Sequence, residues 1–148
     1  MNIRIATADD IESLVEFNTA MALETEEKHL DADIVRPAVA SIFEDKAKGF
    51  YVVAEENGEI AGALLVTYEW SDWRNAWWWW VQSVYIRPEA RGKRIYSQLY
   101  DFVKTHAVEA GNVYGIRLYV EKENIHAQRV YEKLGMQQSP YIMYDEVL

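Results

Sequence analysis

Residues 81–100 read VQSVYIRPEARGKRIYSQLY, and this stretch decides the fold because a strand, a basic turn and a helix follow one another within it. Val81, Gln82, Ser83, Val84, Tyr85 and Ile86 are mostly β-branched or aromatic, the composition of a strand. Pro88 has no N–H to give to a central ladder, so the strand ends near it. Arg91, Gly92, Lys93 and Arg94 form a short basic turn. Ile95, Leu99, Val103 and Ala107 then recur four apart with Phe102 beside them, which predicts a helix. The first amides of a helix have no intrahelical acceptor, and the helix dipole favours negative charge there. The turn therefore reads in two ways. It is a cradle for a pyrophosphate, or it is an ordinary strand-to-helix connection with solvated Arg and Lys.

Working outward, the whole chain of 148 residues suits one domain, 1–148. Half of the residues are hydrophobic, enough for a real core. With no cysteine there is no disulfide, thiol nucleophile or cysteine-metal site. The N-terminal MNIRIATADD lacks a basic-then-apolar signal pattern. The longest strongly apolar run, Ala76 to Val81, is too short to span a membrane, so the expectation is a cytoplasmic protein with no membrane partner. A net charge of −9 argues against nucleic acid, whose affinity comes largely from neutralised phosphates. Against that acidic background the Arg87–Arg94 segment favours a localised anion site.

Before the central stretch, Asn2 to Ala6 alternates as a first strand. Thr7 and Asp10 suit a capping box, and Ile11, Leu14, Val15 and Asn18 mark one face of the helix that follows. Met21 to Leu30 gathers Glu24, Glu26 and Glu27 without a strong apolar period. Asp33 to Lys48 reads as a second helix with Ile34, Ala38, Ile42 and Phe43 inward, Pro37 in its first turn and Gly49 closing it. Phe50–Glu55 and Glu59–Glu69 form a hairpin around Asn57-Gly58. Trp70 to Asn75 is a polar-aromatic loop, and Ala76 to Ile86 is a long strand. Its tryptophans, Trp77 to Trp80, fall on both faces, which predicts cover on both sides and no single aromatic platform for a carbohydrate. After the third helix, Gly111 is a C-terminal cap. Tyr114 to Glu121 is a strand, Asn124 caps a fourth helix carrying Ala127, Val130, Tyr131 and Leu134, and Tyr141 to Val147 is a last strand. The order is β-α-α-β-β-β-α-β-α-β, an α/β (α+β) fold with a mixed, mostly antiparallel central sheet flanked by helices.

Residues 120–136, VEKENIHAQRVYEKLGM, settle the choice between the two readings of the turn. Asn124, Ala127, Tyr131, Gly135 and Met136 match the pattern Asn-x-x-Ala-x-x-x-Tyr-x-x-x-Gly-Phe/Met. With the basic turn they make the chain resemble the GNAT superfamily, the GCN5-related N-acetyltransferases. Arg91 fits the opening of that family's Arg/Gln-x-x-Gly-x-Gly/Ala pyrophosphate loop. Arg94 and Tyr96 stand where the family usually has glycine and glycine or alanine. The element order above is also that of the family.

The resemblance implies transfer of an acetyl group from acetyl-CoA to an amine, with no metal. It assigns the pyrophosphate to backbone amides from Arg91 through Gly92, Lys93, Arg94 and Ile95 to Tyr96. The pantetheine and the thioester carbonyl go to the main chain of Val84, Tyr85 and Ile86, donors worth roughly 3–4 kcal/mol each in acyl transfer. Tyr131 takes the family's general-acid position and Asn124 a cofactor contact. A phenol pKa near ~10 keeps Tyr131 protonated at neutral pH. Many relatives carry a basic Glu on the strand before the loop, where this chain has Gln82. Glu24, Glu26 and Glu69 are then the candidate bases, and together they suggest an acidic vestibule for a small cationic amine or a lysine-like group, with Trp70, Trp73 and Tyr68 adding cation–π contacts. Relatives are often dimers, so a homodimer stays open. Two other readings are weighed. A nucleotide-binding protein is disfavoured because neither G-x-x-x-x-G-K-[ST] nor G-x-G-x-x-G is present. A catalytically degenerate GNAT domain that binds coenzyme A or a protein partner is favoured only by Gln82, Arg94 and Tyr96. His29 reads as a surface histidine or a further base, and His106 and His126 have no metal-ligand spacing.

Overall fold

The computed structural model describes residues 1–148. The elements in chain order are β1 (Asn2–Ile5), α1 (Ile11–Glu26), α2 (Ala32–Glu44), β2 (Phe50–Glu56), β3 (Glu59–Ser71), β4 (Ala76–Ile86), α3 (Ile95–Ala110), β5 (Val113–Arg117) and α4 (Ile125–Lys133). They group into two compact units, Met1–Leu118 and Tyr119–Leu148.

In the first unit the strands form one sheet in the order β1-β2-β3-β4-β5. Three antiparallel ladders join β1 to β4, and β4 pairs with β5 in parallel. A parallel pair needs a crossover, which α3 supplies. Alternation along the strands sorts two cores. Val52, Ala54, Leu64 and Val66 pack with Ile95, Leu99 and Val103 of α3. Tyr51, Val53, Ala63 and Tyr85 pack with Leu14, Val15 and Phe17 of α1 and Val39 of α2. Leu14, Leu64 and Leu99 are almost wholly buried, each contributing roughly 1.5–3 kcal/mol of apolar burial. Asn57 and Gly58 turn the β2–β3 hairpin with φ of 54° and 80°, the left-handed pair that a two-residue hairpin turn requires.

The helices before β2 depart from expectation. α1 runs on to Glu26, so Glu24 and Glu26 stand on its last turn. Asp31 caps α2 by accepting from the Asp33 amide at 2.9 Å, and the helix ends at Glu44, before Lys48. Pro37 is inside it, past the first turn, where its ring costs the Asp33 carbonyl an acceptor bond. The inward stripe is Val35, Val39, Ile42 and Phe43, while Ile34 is 67% exposed. Gly49 caps nothing. Its φ is 143° and a Cβ there would lie 2.0 Å from the Val66 carbonyl oxygen, so it is glycine to let two strands approach.

The second unit is α4 and flanking chain. β5 ends at Arg117, before the expected Glu121, and residues 141–147 form no strand. Tyr141, Ile142, Tyr144 and Val147 are exposed. Their aromatic and β-branched composition suits a strand, but a strand exists only through a ladder partner, and none is made here.

Candidate active site

The site begins with a fault in β4. Leu65 pairs with Gln82, yet Ala63 pairs with Tyr85, so β4 spends one residue more than β3 across that interval. The extra residue makes a bulge, and Ser83 sits in it with φ of 50°. A bulge bends its strand and increases the local twist. The parallel ladder to β5 stops just before, at the Trp80–Arg117 pair. From Val81 to Ile86, β4 keeps β3 on one side and has no strand on the other.

The Arg87 amide bonds to the Ala61 carbonyl of β3 at 2.9 Å. Alternation along the strand therefore turns the main-chain groups of Ile86 to the free edge. The Ile86 carbonyl there accepts from Arg91 Nε at 3.0 Å. Val84 and Ile86 pack their side chains on the α3 side, while Tyr85 is buried toward α1. In Val84 and Ile86, side-chain packing coexists with main-chain groups at the free edge; the same alternation turns the main-chain groups of Tyr85, expected at that edge, to β3 instead.

The free edge runs through a short 3-10 turn, Pro88–Ala90, into the start of α3. Gly92 has φ of 83°, and a Cβ there would meet nothing within 4 Å. Arg94, the residue before α3, has φ of 58°. The glycine that the resemblance leads one to expect there would take this left-handed conformation freely, whereas it costs other residues roughly 1–2 kcal/mol. No side chain caps the helix and its first turn holds no acid, so the amides of Ile95 and Tyr96 begin a helix without a side-chain acceptor. Lys93 pairs with Glu56 at 3.3 Å and Arg91 with Glu24 at 2.9 Å. Arg94 enters no ion pair. An open turn, uncapped amides and a spare guanidinium suit a diphosphate.

Each candidate base is already engaged. Glu24 accepts from Arg91 Nη2 at 2.9 Å and from the Tyr85 hydroxyl at 3.0 Å. Arg91, and then Tyr85, hold its carboxyl below the usual carboxylate range, which makes it a poorer base. Burial, and then Glu24, push the Tyr85 phenol up. Glu69 accepts from Trp80 Nε1 and from Arg117 Nη1, each at 3.0 Å. Glu26 is exposed beside Lys28, 3.7 Å away. Gln82 donates to Thr67 Oγ1 at 2.5 Å.

The expected aromatic grip on a cation is also rearranged. Trp70 and Trp73 are 52% and 86% exposed on and beyond the end of β3. Tyr68 turns to the opposite face, against Trp77 and Trp79. The rings that face Glu69 are Trp78 and Trp80, and the protein's own cations cover them: Arg117 lies 3.7 Å from the Trp78 ring centre and Arg74 lies 5.5 Å from it. Only Trp79 of the four-tryptophan run is buried; on the other face side chains, not a helix, provide the cover. Alternation from Thr67 through Glu69 opposite Trp80 and Trp78 was the available signal for this cluster. No three His, Asp or Glu side chains gather as metal ligands, and no helix is long and apolar enough to cross a membrane.

In the second unit, Asn124 Oδ1 accepts from the Ala127 amide at 3.1 Å and caps α4. Tyr131 is partly buried, and burial pushes its phenol up. Gly135 has φ of 97°, and the next amide, Met136, reaches back to the Tyr131 carbonyl at 3.1 Å. The motif's Asn and Gly thus begin and end the helix that carries its Tyr.

Comparisons with known proteins agree with this arrangement. The model of the Acetyltransferase (GNAT) family matches residues 11–136. A structure from Clostridium difficile 630, described as a possible acetyltransferase, is 41% identical, with TM-score 0.93 over 99% of this chain and 97% of that one. A transcriptional regulator from Bacillus halodurans C-125 is 27% identical, with TM-score 0.83 over 99% of each chain. A predicted acetyltransferase from Clostridium acetobutylicum, solved with acetyl-CoA, shares the fold at 22% identity and TM-score 0.77, over 98% of this chain and 95% of that one. No curated protein matches. An open β4 edge that leads into an uncapped helix, together with these matches over nearly the whole chain, places the protein in the GNAT family of acetyltransferases.

Proposed function

We propose that this chain transfers the acetyl group of acetyl-CoA to the primary amine of a small cationic molecule or a lysine-like side chain, by direct attack in a ternary complex. The observation that carries the reading is the continuity of the unpaired β4 edge with the uncapped start of α3. Amides at Arg91 to Tyr96 would hold the pyrophosphate, with Arg94 adding charge. Main-chain groups of Val84 and Ile86 would hold the pantetheine and polarise the thioester carbonyl, with Tyr85 between them, its own main chain turned to β3.

In the reaction the amine nitrogen bonds to the thioester carbon, the carbon–sulfur bond breaks, and the thiolate leaves. The Tyr131 phenol is assigned the proton that the thiolate takes up, on the strength of its motif. Its raised pKa keeps it protonated, and proton transfer to a thiolate of pKa near ~8.5 is uphill, so hydrogen bonding to the developing charge is its larger contribution. The amine must shed a proton as well. Glu24 is held ionised by Arg91, and Glu69 is held by Arg117 and Trp80. We assign that proton to water, so the amine reacts as its neutral fraction, at a cost of about 4–5 kcal/mol at pH 7 for an alkylamine.

Thiol release from acetyl-CoA across a panel of amines tests the reading. The expected result is turnover with some primary amines and a kcat/KM that rises with pH toward the amine's own pKa. Coenzyme A binding without turnover on any amine would instead support a degenerate domain.

A further inference from the structure

Glu24 was a candidate base on the sequence, yet its contacts describe a different task. It stands on the last turn of α1 and reaches two elements at once. One carboxylate oxygen accepts from Arg91 Nη2 at 2.9 Å, and the other accepts from the Tyr85 hydroxyl at 3.0 Å. Arg91 in turn donates through Nε to the Ile86 carbonyl on the free edge of β4, and its guanidinium lies 5.6 Å from the Tyr85 ring centre. Four groups from α1, β4 and the turn before α3 are thereby locked together. The lock spans the point where β4 leaves the sheet and the point where the basic turn begins.

We propose that Glu24 is a positioning residue for the acyl-CoA loop, acting through Arg91. Arg91 opens the basic turn, and two partners orient its half-exposed side chain along the strand. The guanidinium is a rigid planar fork, so bonding both Nε and Nη2 sets its direction as well as its distance. That fixes the start of a turn whose other bends, Gly92 and Arg94, are both left-handed and carry no side-chain cap. The α1 end also becomes sensitive to the state of the cofactor loop, because one carboxylate serves both. This inference rests on the cofactor reading above.

The test compares Glu24→Ala, Arg91→Ala and the double variant, using calorimetry with coenzyme A and steady-state kinetics. If Glu24 acts through Arg91, Glu24→Ala weakens coenzyme A binding about tenfold. The loss then falls on the KM for acetyl-CoA more than on kcat, and the pH profile of kcat/KM keeps its shape. The double variant is no weaker than Arg91→Ala alone, since the two share one function. Glu24→Gln, which keeps an acceptor oxygen but not the charge, recovers part of the loss. Tyr85→Phe leaves the Arg91 contact in place and shows a smaller effect, which serves if Glu24→Ala folds poorly. Additive losses overturn the proposal, and so does a collapse of kcat with loss of a limb of the pH profile, which would make Glu24 the base. Wild-type protein that does not bind coenzyme A overturns the cofactor reading itself. Wild-type binding with an unchanged Glu24→Ala variant overturns only the positioning role.

Discussion

Trp80 and Arg117 form the last rung between β4 and β5. Beyond them β4 continues alone on that side to Ile86, and the change comes where Ser83 takes a left-handed conformation. The opening on the β5 side therefore begins just before the residue at which β4 bulges against β3. Main-chain groups on that side of β4 are left without a strand partner, and the Ile86 carbonyl among them accepts from Arg91.

Ser83 is the residue that stores this distortion. A β-branched side chain at φ near 50° is strained by about 1–2 kcal/mol. Ser83→Val is expected to lower unfolding free energy by about that much in urea titration and to reduce turnover. Ser83→Gly should be neutral or stabilising. Equal stability of all three proteins would show that the bulge does not depend on this backbone conformation.

Arg94 combines a left-handed backbone with a guanidinium that makes no ion pair, and substitution separates the two. Arg94→Gly relieves the backbone and should raise stability by up to about 1 kcal/mol, read as a shift in Tm. Arg94→Ala keeps the strain and removes the charge. Coenzyme A affinity is expected to fall about fivefold to tenfold in both, with a shallower salt dependence than in wild type.

Tyr131→Phe should lower kcat about a hundredfold with little change in the KM for acetyl-CoA. Burial raises the phenol pKa, so the proton stays in place across the neutral and moderately alkaline range. Any loss of wild-type activity caused by its ionisation should therefore begin only above the ordinary phenol value near ~10. A fall starting near pH 8 would require another group.

Away from the site, Arg4 binds Asp10 through two bonds, at 2.7 and 3.0 Å, and Glu55 at 2.8 Å. Arg4, and then the Thr7 amide, hold the Asp10 carboxyl below its ordinary value against the opposing effect of burial. A carboxyl depressed on folding adds stability above its unfolded pKa and loses it as pH falls through the folded one. Denaturant midpoints should therefore hold from pH 7 to about 5 and drop below about 4. Arg4→Met, which leaves a buried carboxylate unpaired, should cost about 1–3 kcal/mol at pH 7 and flatten that drop.

The parts of this fold legible in the sequence are those where local chemistry and tertiary packing agree. The four-residue spacing from Ile95 to Ala107, closed by Gly111, marks α3 to its ends. Asn57-Gly58 marks the hairpin because few other pairs accept two positive φ angles. α2 misled because apolar residues lie on adjacent positions: Ile34 and Ala38 fit a helical stripe as well as Val35 and Val39 do, and only the sheet beneath decides between them. The end of α1 was hidden because Glu24 to Glu26 carry no apolar face. The bulge had no mark at all, since a serine in the left-handed region looks like any other serine. The basic turn and the Tyr131 motif were legible as patterns. The ties from Glu24 to Arg91 and from Glu69 to Arg117 were not, because they join residues far apart in sequence through side chains that read as solvated charge.

The most direct test of the central claim is an amide-resolved titration of the 15N-labelled protein with coenzyme A. The account predicts that the largest shifts fall on Val84 to Ile86 and on Arg91 to Tyr96, and that they saturate together. Shifts confined to other segments, or none at saturating coenzyme A, would contradict it.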